Sequence, residues 1–99
     1  MRWIVIFEDR PGALAIREAN AEAHFDYLER HRDQIRLAGG VRDEPGGPPD
    51  GGLWILDNIA NRADAVRLCE ADPFFTACLR QRSVLKAWGF AHCYADVTL

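Results

Sequence analysis

Residues 2–12 read RWIVIFEDRPG. The run from Arg2 to Glu8 is rich in β-branched and aromatic residues and stops at a turn signal, Asp9-Arg10-Pro11-Gly12, so it predicts a first β-strand. The apolar side chains of this strand point to both faces of a sheet: Trp3, Val5 and Phe7 to one side, Ile4 and Ile6 to the other. We therefore expect both faces of the strand to be covered.

A long helix is predicted next, from Ala13 to about Gln34, with a kink near Asn20. Its apolar residues recur at helical spacing and form one stripe on an otherwise charged helix: Ala21, Phe25, Leu28 and Ile35. Residues 35–43 predict a second strand. We expect it to be interrupted at Gly39-Gly40, where a bulge or the close approach of a ligand is tolerated.

The second half of the chain begins with a loop over residues 44–52, which are rich in glycine and proline. Residues 53–57 predict a third strand, and Asn61 is a suitable N-cap for a second helix with Ala65, Leu68 and Cys69 on its buried face. Asp72-Pro73 has the pattern of an N-cap and first residue of a short third helix. A long last strand is predicted from Val84 to Val97.

This order of elements predicts an α+β fold of the ferredoxin-like βαββαβ type, with a four-stranded antiparallel sheet. Two helices cover only one face of such a sheet, while three of the four strands are apolar on both faces. We therefore predict a homodimer that buries the second face, with dimeric α+β barrel-type packing. A chain of 99 residues suits one core, so residues 1–99 are expected to form a single domain.

Composition argues against several partners. The chain is 48% hydrophobic and 27% charged, with a formal net charge of −3, so it offers no basic surface to nucleic acid or to anionic lipid. No apolar run approaches the roughly 20 residues that span a bilayer, and charged residues follow the start too early for a signal peptide. We expect a cytoplasmic protein that binds neither nucleic acid nor membrane.

The sequence shows no sign of a metal or cofactor site. Its three cysteines form no Cys-x-x-Cys pair, and His31 and His92 complete no ligand set with recognisable spacing. A dinucleotide fingerprint and a nucleophile elbow are also missing from the sequence. We therefore predict no metal and no cofactor.

His24 and Asp72 are the candidate catalytic residues. His24 lies beside the apolar stripe of the long helix, where a partly buried imidazole can act as a general acid or base, although packing alone also places histidines there. Asp72 is its natural partner, because a carboxylate held by helix N–H groups can orient an imidazole. Helix capping alone would also select an aspartate at this position.

The chain has many large aromatic side chains for its size. Most are expected in the core or at the dimer interface, and some are expected to line an apolar pocket between the first helix and the sheet. Such a pocket suits a small-molecule ligand. The predicted substrate-binding residues are Gly39, Phe74, Trp88 and Tyr27.

The sequence resembles the YCII-related family of small dimeric ferredoxin-like proteins over nearly its whole length. The residues that carry the resemblance are Trp3 to Phe7, Ala23-His24 with Leu28, Ala38-Gly39, Glu70-Ala71-Asp72-Pro73-Phe74 and Val84 to Trp88. The resemblance implies a dimer and a pair formed by His24 and Asp72 in a pocket. A few members of the family are dehydrochlorinases of chlorinated hydroxylated aromatics. This chain departs from the family at Ala87, where proline is typical, and in its glycine- and proline-rich second hairpin.

Three functions remain open from the sequence. The first is a cofactor-independent lyase or isomerase in which His24, oriented by Asp72, moves a proton on a small cyclic or phenolic substrate. The second is a non-catalytic module whose pocket binds a metabolite. The third is a dimeric α+β barrel monooxygenase.

Overall fold

The computed structural model describes residues 2–99. Its four strands form one antiparallel sheet in the order β2-β3-β1-β4, and this confirms the predicted α+β ferredoxin-like fold. The elements are β1 (Trp3–Asp9), α1 (Leu14–Arg30), β2 (Ile35–Val41), β3 (Gly51–Leu56), α2 (Arg62–Glu70), α3 (Pro73–Thr76), β4 (Arg80–Ala87) and a 3₁₀ turn (His92–Tyr94).

The core lies on the helix-facing side of the sheet. Val5 is opposite Trp54 in the β1–β3 register, and both are almost fully buried. Tyr27 of α1 and Leu68 of α2 belong to the same cluster. Each large apolar side chain buried in this way stabilises the fold by about 1.5–3 kcal/mol, so this layer holds the helices against the sheet.

Both helix starts in the second half are capped as predicted. Asn61 is extended, and its side-chain oxygen accepts a hydrogen bond from the backbone N–H of Asp64 over 2.9 Å. Asp72 is also extended, and its carboxylate accepts from the N–H of Phe74. Cap geometry therefore fixes where the Asp72 side chain lies.

The first helix differs from the prediction in its length and in its buried face. It ends at Arg30, and it continues past Asn20, whose side-chain amide donates to the carbonyl of Ile16. Phe25, predicted to be on the buried stripe, is 62% exposed, and the buried residues are His24 and Tyr27. Phe25 was mispredicted because it lies at the open cavity beside His24, where no side chain of residues 2–99 covers it, whereas His24 has a buried partner in Asp72.

The β2–β3 hairpin also differs from the prediction. The register shift in β2 lies between Ile35 and Leu37, not at the glycine pair. β3 begins at Gly51, within the stretch predicted as a loop. A Cβ at Gly51 would collide with the backbone oxygen of Phe7. Glycine is required here for close packing of strands and does not mark a loop.

The last strand was predicted too late in the chain. It begins at Arg80 and ends at Ala87. Ala87 pairs with Trp3, the first residue of β1, so the pairing of β4 with β1 ends there. The residues after it pack near Ile55 on the sheet face opposite the helices, where they line an apolar recess: Trp88, Phe90, Ala91, Tyr94, Val97 and Leu99.

The sheet face opposite the helices still exposes apolar side chains. Ile6 is 48% exposed and Leu37 is 51% exposed. Homodimer formation through this face stays a prediction. Across residues 2–99, no helix is long and apolar enough to cross a membrane.

Candidate active site

His24 and Asp72 meet in the interior, between α1 and the start of α3. The Nδ1 atom of His24 lies 2.6 Å from Oδ1 of Asp72, and the two residues are 6% and 0% exposed. The imidazole also stacks on the Phe74 ring, with centroids 3.8 Å apart and planes 10° apart. The helical position of His24, the cap at Asp72 and the stacking together hold the imidazole in one orientation.

The polar contacts of Asp72 fix the tautomer of His24. Oδ1 accepts from the N–H of Phe74 as well as contacting His24. Because a carboxylate only accepts hydrogen bonds, Nδ1 of His24 is the donor in this contact, and in the neutral imidazole Nε2 then presents a lone pair. The arrangement is chemically suited to proton transfer at Nε2.

His24 lines a cavity of about 320 Å³ between α1 and the sheet. Its wall includes Phe74 and Trp54, and its floor includes Gly40 and Gly52, which are paired across β2 and β3. A Cβ would lie 3.3 Å from Arg42 at Gly40 and 3.3 Å from Arg80 at Gly52, so a larger residue at either position would crowd the cavity. A volume near the lower end for ligand pockets suits a small ring.

A cluster of charged residues at one end of the cavity was not predicted from the sequence. Asp9, the last residue of β1, accepts from Arg17 through Oδ2 and from Arg80 through Oδ1, each over 2.7 Å. The side chains of Arg17 and Arg80 are 13% and 4% exposed, and both line the cavity. Arg17 is eight positions from Asp9, across the turn between β1 and α1, and Arg80 is 71 positions from Asp9. No spacing within one helix or strand therefore indicates that the three meet.

Arg80 also approaches the candidate dyad. Its Nη2 atom is 4.0 Å from Oδ2 of Asp72, an oxygen that is buried and has no hydrogen-bond partner among residues 2–99. Burial lowers the pKa of Arg80, and the neighbouring carboxylates of Asp9 and Asp72 partly oppose that shift. Arg80 thus places positive charge beside the carboxylate that contacts His24.

Burial makes two neighbouring groups poor proton donors. It raises the pKa of the Cys69 thiol to about 12 and that of Tyr27 to about 12. The hydroxyl of Tyr27 donates to the carbonyl of Leu68 over 2.6 Å, away from the cavity. Neither group is placed to react with a ligand beside His24.

The predicted site residues are not all brought together. Gly39 and Phe74 line the cavity with His24, and Asp72 lies directly behind His24. Trp88 and Tyr27 do not line it. Trp88 follows the end of β4 and lines the apolar recess on the other sheet face, and Tyr27 belongs to the core. The structure therefore does not bring these two side chains to the cavity, because aromatic character does not specify which sheet face a residue meets.

A wider recess of about 640 Å³ lies between the β1–α1 turn and the β2–β3 loop. Its lining includes acidic side chains but no histidine, so it offers no comparable proton-transfer group. Within residues 2–99, no group of three or more histidine, cysteine or carboxylate side chains is placed to hold a metal ion. The candidate site is therefore the smaller cavity.

Comparison with known proteins agrees with the fold. The family model described as the YCII-related domain matches residues 1–88. No curated protein is significantly similar to the sequence. A solved structure, 5-chloro-2-hydroxyhydroquinone dehydrochlorinase (TftG) from Burkholderia phenoliruptrix AC1100 in complex with 2,5-dihydroxybenzoquinone, is 26% identical. The match has a TM-score of 0.84 and covers 92% of this chain and 96% of that chain.

Two further solved structures share the fold at lower identity. Protein Atu4242 from Agrobacterium tumefaciens is 14% identical with a TM-score of 0.55, over 93% of this chain and 95% of that one. SnoaB, a cofactor-independent oxygenase from Streptomyces nogalater, is 15% identical with a TM-score of 0.52, over 92% of this chain and 94% of that one.

Proposed function

The chain belongs to the YCII-related domain family, and on that premise we propose that it is a cofactor-independent lyase or isomerase acting on a small hydroxylated ring. His24 is the general acid and base, and Asp72 orients it. The observation that carries the proposal is the 2.6 Å contact of these two side chains at the wall of a ring-sized cavity.

The proposed chemistry is proton transfer at Nε2 of His24. With Nδ1 held by Asp72, Nε2 takes a proton from a ring hydroxyl or returns one to a ring carbon. Such a transfer allows a hydroxylated ring to tautomerise, and to eliminate a leaving group that departs with its bonding electrons. No net oxidation or reduction occurs, so no electron-transfer group is needed.

The dehydrochlorinase TftG supports this reaction class. It is similar to this chain over nearly the full length of both proteins, and its name describes loss of hydrogen chloride from a hydroxylated ring. The cavity of this chain, with a floor of glycines and a wall of Phe74 and Trp54, can accept a flat ring of that type.

The test is turnover of 5-chloro-2-hydroxyhydroquinone, followed by chloride release and by the change in the absorption spectrum. Replacing His24 by Gln is expected to lower the rate about 10²- to 10⁴-fold, because that is the usual contribution of a positioned general acid or base. His31→Gln is the matched control. His31 follows the same helix but packs against Tyr27, outside the cavity.

Each contrary outcome has its own meaning. Full turnover by His24→Gln excludes the proposed role of His24. A ring ligand that binds the wild type but is recovered unchanged favours a binding module. Oxygen uptake during turnover favours a monooxygenase instead.

We also infer that the protein is a homodimer, joined through the sheet face opposite the helices. Ile6, Leu37 and Val41 are each more than a third exposed on that face. Burying them against a second copy removes apolar surface from water. Light scattering on the wild type should give the mass of a dimer, and Ile6→Glu should give a monomer with an unchanged circular dichroism spectrum. A monomeric wild type at micromolar concentration contradicts the inference.

A further inference from the structure

The cavity that holds His24 changes from polar to apolar along the first helix. The charged lining residues of α1, Arg17 and Glu18, come before His24 in the helix. Phe25 and Leu28, which also line the cavity, come after it. Because an α-helix rises about 1.5 Å per residue, Leu28 lies about 16 Å further along the helix axis than Arg17.

The sheet beneath the cavity changes in the same direction. Gly52 and its pairing partner on β2 lie at the polar end, where the nearest side chains are those of arginines. Two residues further along β3, Trp54 is paired with Ala38, and both line the cavity. One end of the cavity is therefore walled by apolar side chains from three elements, and we refer to it as the apolar end: Phe25, Leu28, Ala38 and Trp54.

Phe25 forms the outer wall of the apolar end. Its side chain is 62% exposed, although it lines the cavity. Its ring lies beside the imidazole of His24, with centroids 5.5 Å apart and planes 53° apart. A group of a ligand that packs between Phe25 and His24 would remove apolar surface from water at the position next to the candidate general base.

A second groove, of about 350 Å³, continues on the far side of Phe25. The groove and the cavity share three lining residues, Phe25, Leu28 and Ala38. Leu28 and Ala38 pack against the hydrophobic core, whereas Phe25 does not belong to that cluster. The ring of Phe25 is therefore the part of this partition that limits how far a ligand extends from His24.

We propose that the apolar end is a subsite for a small uncharged substituent on the ring of the ligand, and that Phe25 limits the size of that substituent. The inference rests on the proposed function, because it assumes that the cavity holds a small hydroxylated ring. It adds the chemical class of a ring substituent and the residue that selects it. Phe25 is a specificity-determining residue in this proposal and takes no part in proton transfer.

The test is the affinity for a series of hydroquinones, measured by titration calorimetry under nitrogen at neutral pH. The probes are hydroquinone, methylhydroquinone and phenylhydroquinone. We expect the methyl group to strengthen binding to the wild type about fourfold, which is the usual effect of burying one such group. Phenylhydroquinone should bind no more tightly than hydroquinone, because its second ring meets Phe25.

Phe25→Ala is expected to reverse this preference. The methyl group loses its contact, so hydroquinone and methylhydroquinone should bind equally. Phenylhydroquinone should bind about tenfold more tightly than to the wild type, because its second ring then reaches apolar surface in the groove beyond. Leu14→Ala is the matched control. Leu14 is an exposed apolar residue of the same helix that lines the cavity before Arg17, so this variant should keep the preference of the wild type.

The melting temperatures of both variants, each changed at an exposed residue, should stay close to that of the wild type. An unchanged preference in Phe25→Ala excludes Phe25 as the limiting residue. A reversal in Leu14→Ala would place the substituent at the polar end and overturn the proposal, as would tighter binding of 2,5-dihydroxybenzoate than of methylhydroquinone. If the wild type binds all the hydroquinones equally, the subsite is excluded while the proposed function stands. If it binds none of them, both are contradicted.

Discussion

Removing the guanidinium of Arg80 is the sharpest test of how the charged cluster is held together. The side chain is 4% exposed and lies 2.7 Å from Asp9 and 4.0 Å from Asp72, whose side chains are 6% and 1% exposed. At an effective dielectric constant of about 20, unit charges at these distances attract by about 6 and about 4 kcal/mol. Desolvation of the guanidinium offsets much of this attraction, and the loss of one partner from a buried ion pair typically costs about 3–5 kcal/mol.

We therefore expect Arg80→Met to lower the free energy of unfolding by about 3–5 kcal/mol. The measurement is urea denaturation at pH 7, followed by far-ultraviolet circular dichroism and compared with the wild type. Arg67→Met is the control. Its partner Asp64 is on the same exposed helix surface, and loss of such a pair costs at most about 1 kcal/mol. If Arg80→Met lowers the free energy of unfolding no more than Arg67→Met does, then Arg80 is not the cation that stabilises the two buried carboxylates.

Three further perturbations test local features of the structure. Burial raises the pKa of Cys69 from 9.0 to about 12, so the unfolded thiol ionises first and stability falls as pH rises from 9. Cys69 contributes a slope that approaches about 1.4 kcal/mol per pH unit above pH 9. In urea denaturation between pH 8 and 10, below the range in which Tyr27 adds its own slope, Cys69→Ala should lose this contribution, and equal slopes would contradict it. Gly51→Ala should lower the melting temperature strongly because its Cβ meets the Phe7 backbone, whereas Gly39→Ala, with open space around it, should not. Asn61→Ala should cost about 1 kcal/mol in thermal unfolding through the lost cap, and an unchanged melting temperature would show that the cap contributes nothing.

Features that depend on neighbours in sequence were predicted well. The cap at Asn61 and the cap at Asp72 were both anticipated, because each uses a backbone N–H two or three residues away. β1 was anticipated from its run of β-branched and aromatic residues and from the turn signal after it. The order of these elements was enough to predict the sheet.

Features that depend on distant partners were predicted poorly. Arg17 and Arg80 were not recognised as a cluster, since they meet only through Asp9 at the end of β1. The end of β4 was predicted too late in the chain. β4 pairs antiparallel with β1, so its last paired residue, Ala87, is set by Trp3, the first residue of β1. Trp88 was predicted to line the ligand cavity, but it lines the recess on the other face of the sheet. The aromatic character of a residue does not indicate which face of the sheet its side chain will contact.

The amino-acid sequence by itself determined the type of each main element, the caps and the fold class, because hydrophobic period and cap chemistry act over a few residues. It also singled out His24 and Asp72 as candidates, partly through family resemblance. Only the tertiary structure decided that these two side chains are 2.6 Å apart and that two arginines share one carboxylate beside them. Those contacts join residues separated by up to 71 positions, and they form only when helix packing and strand register bring distant segments together.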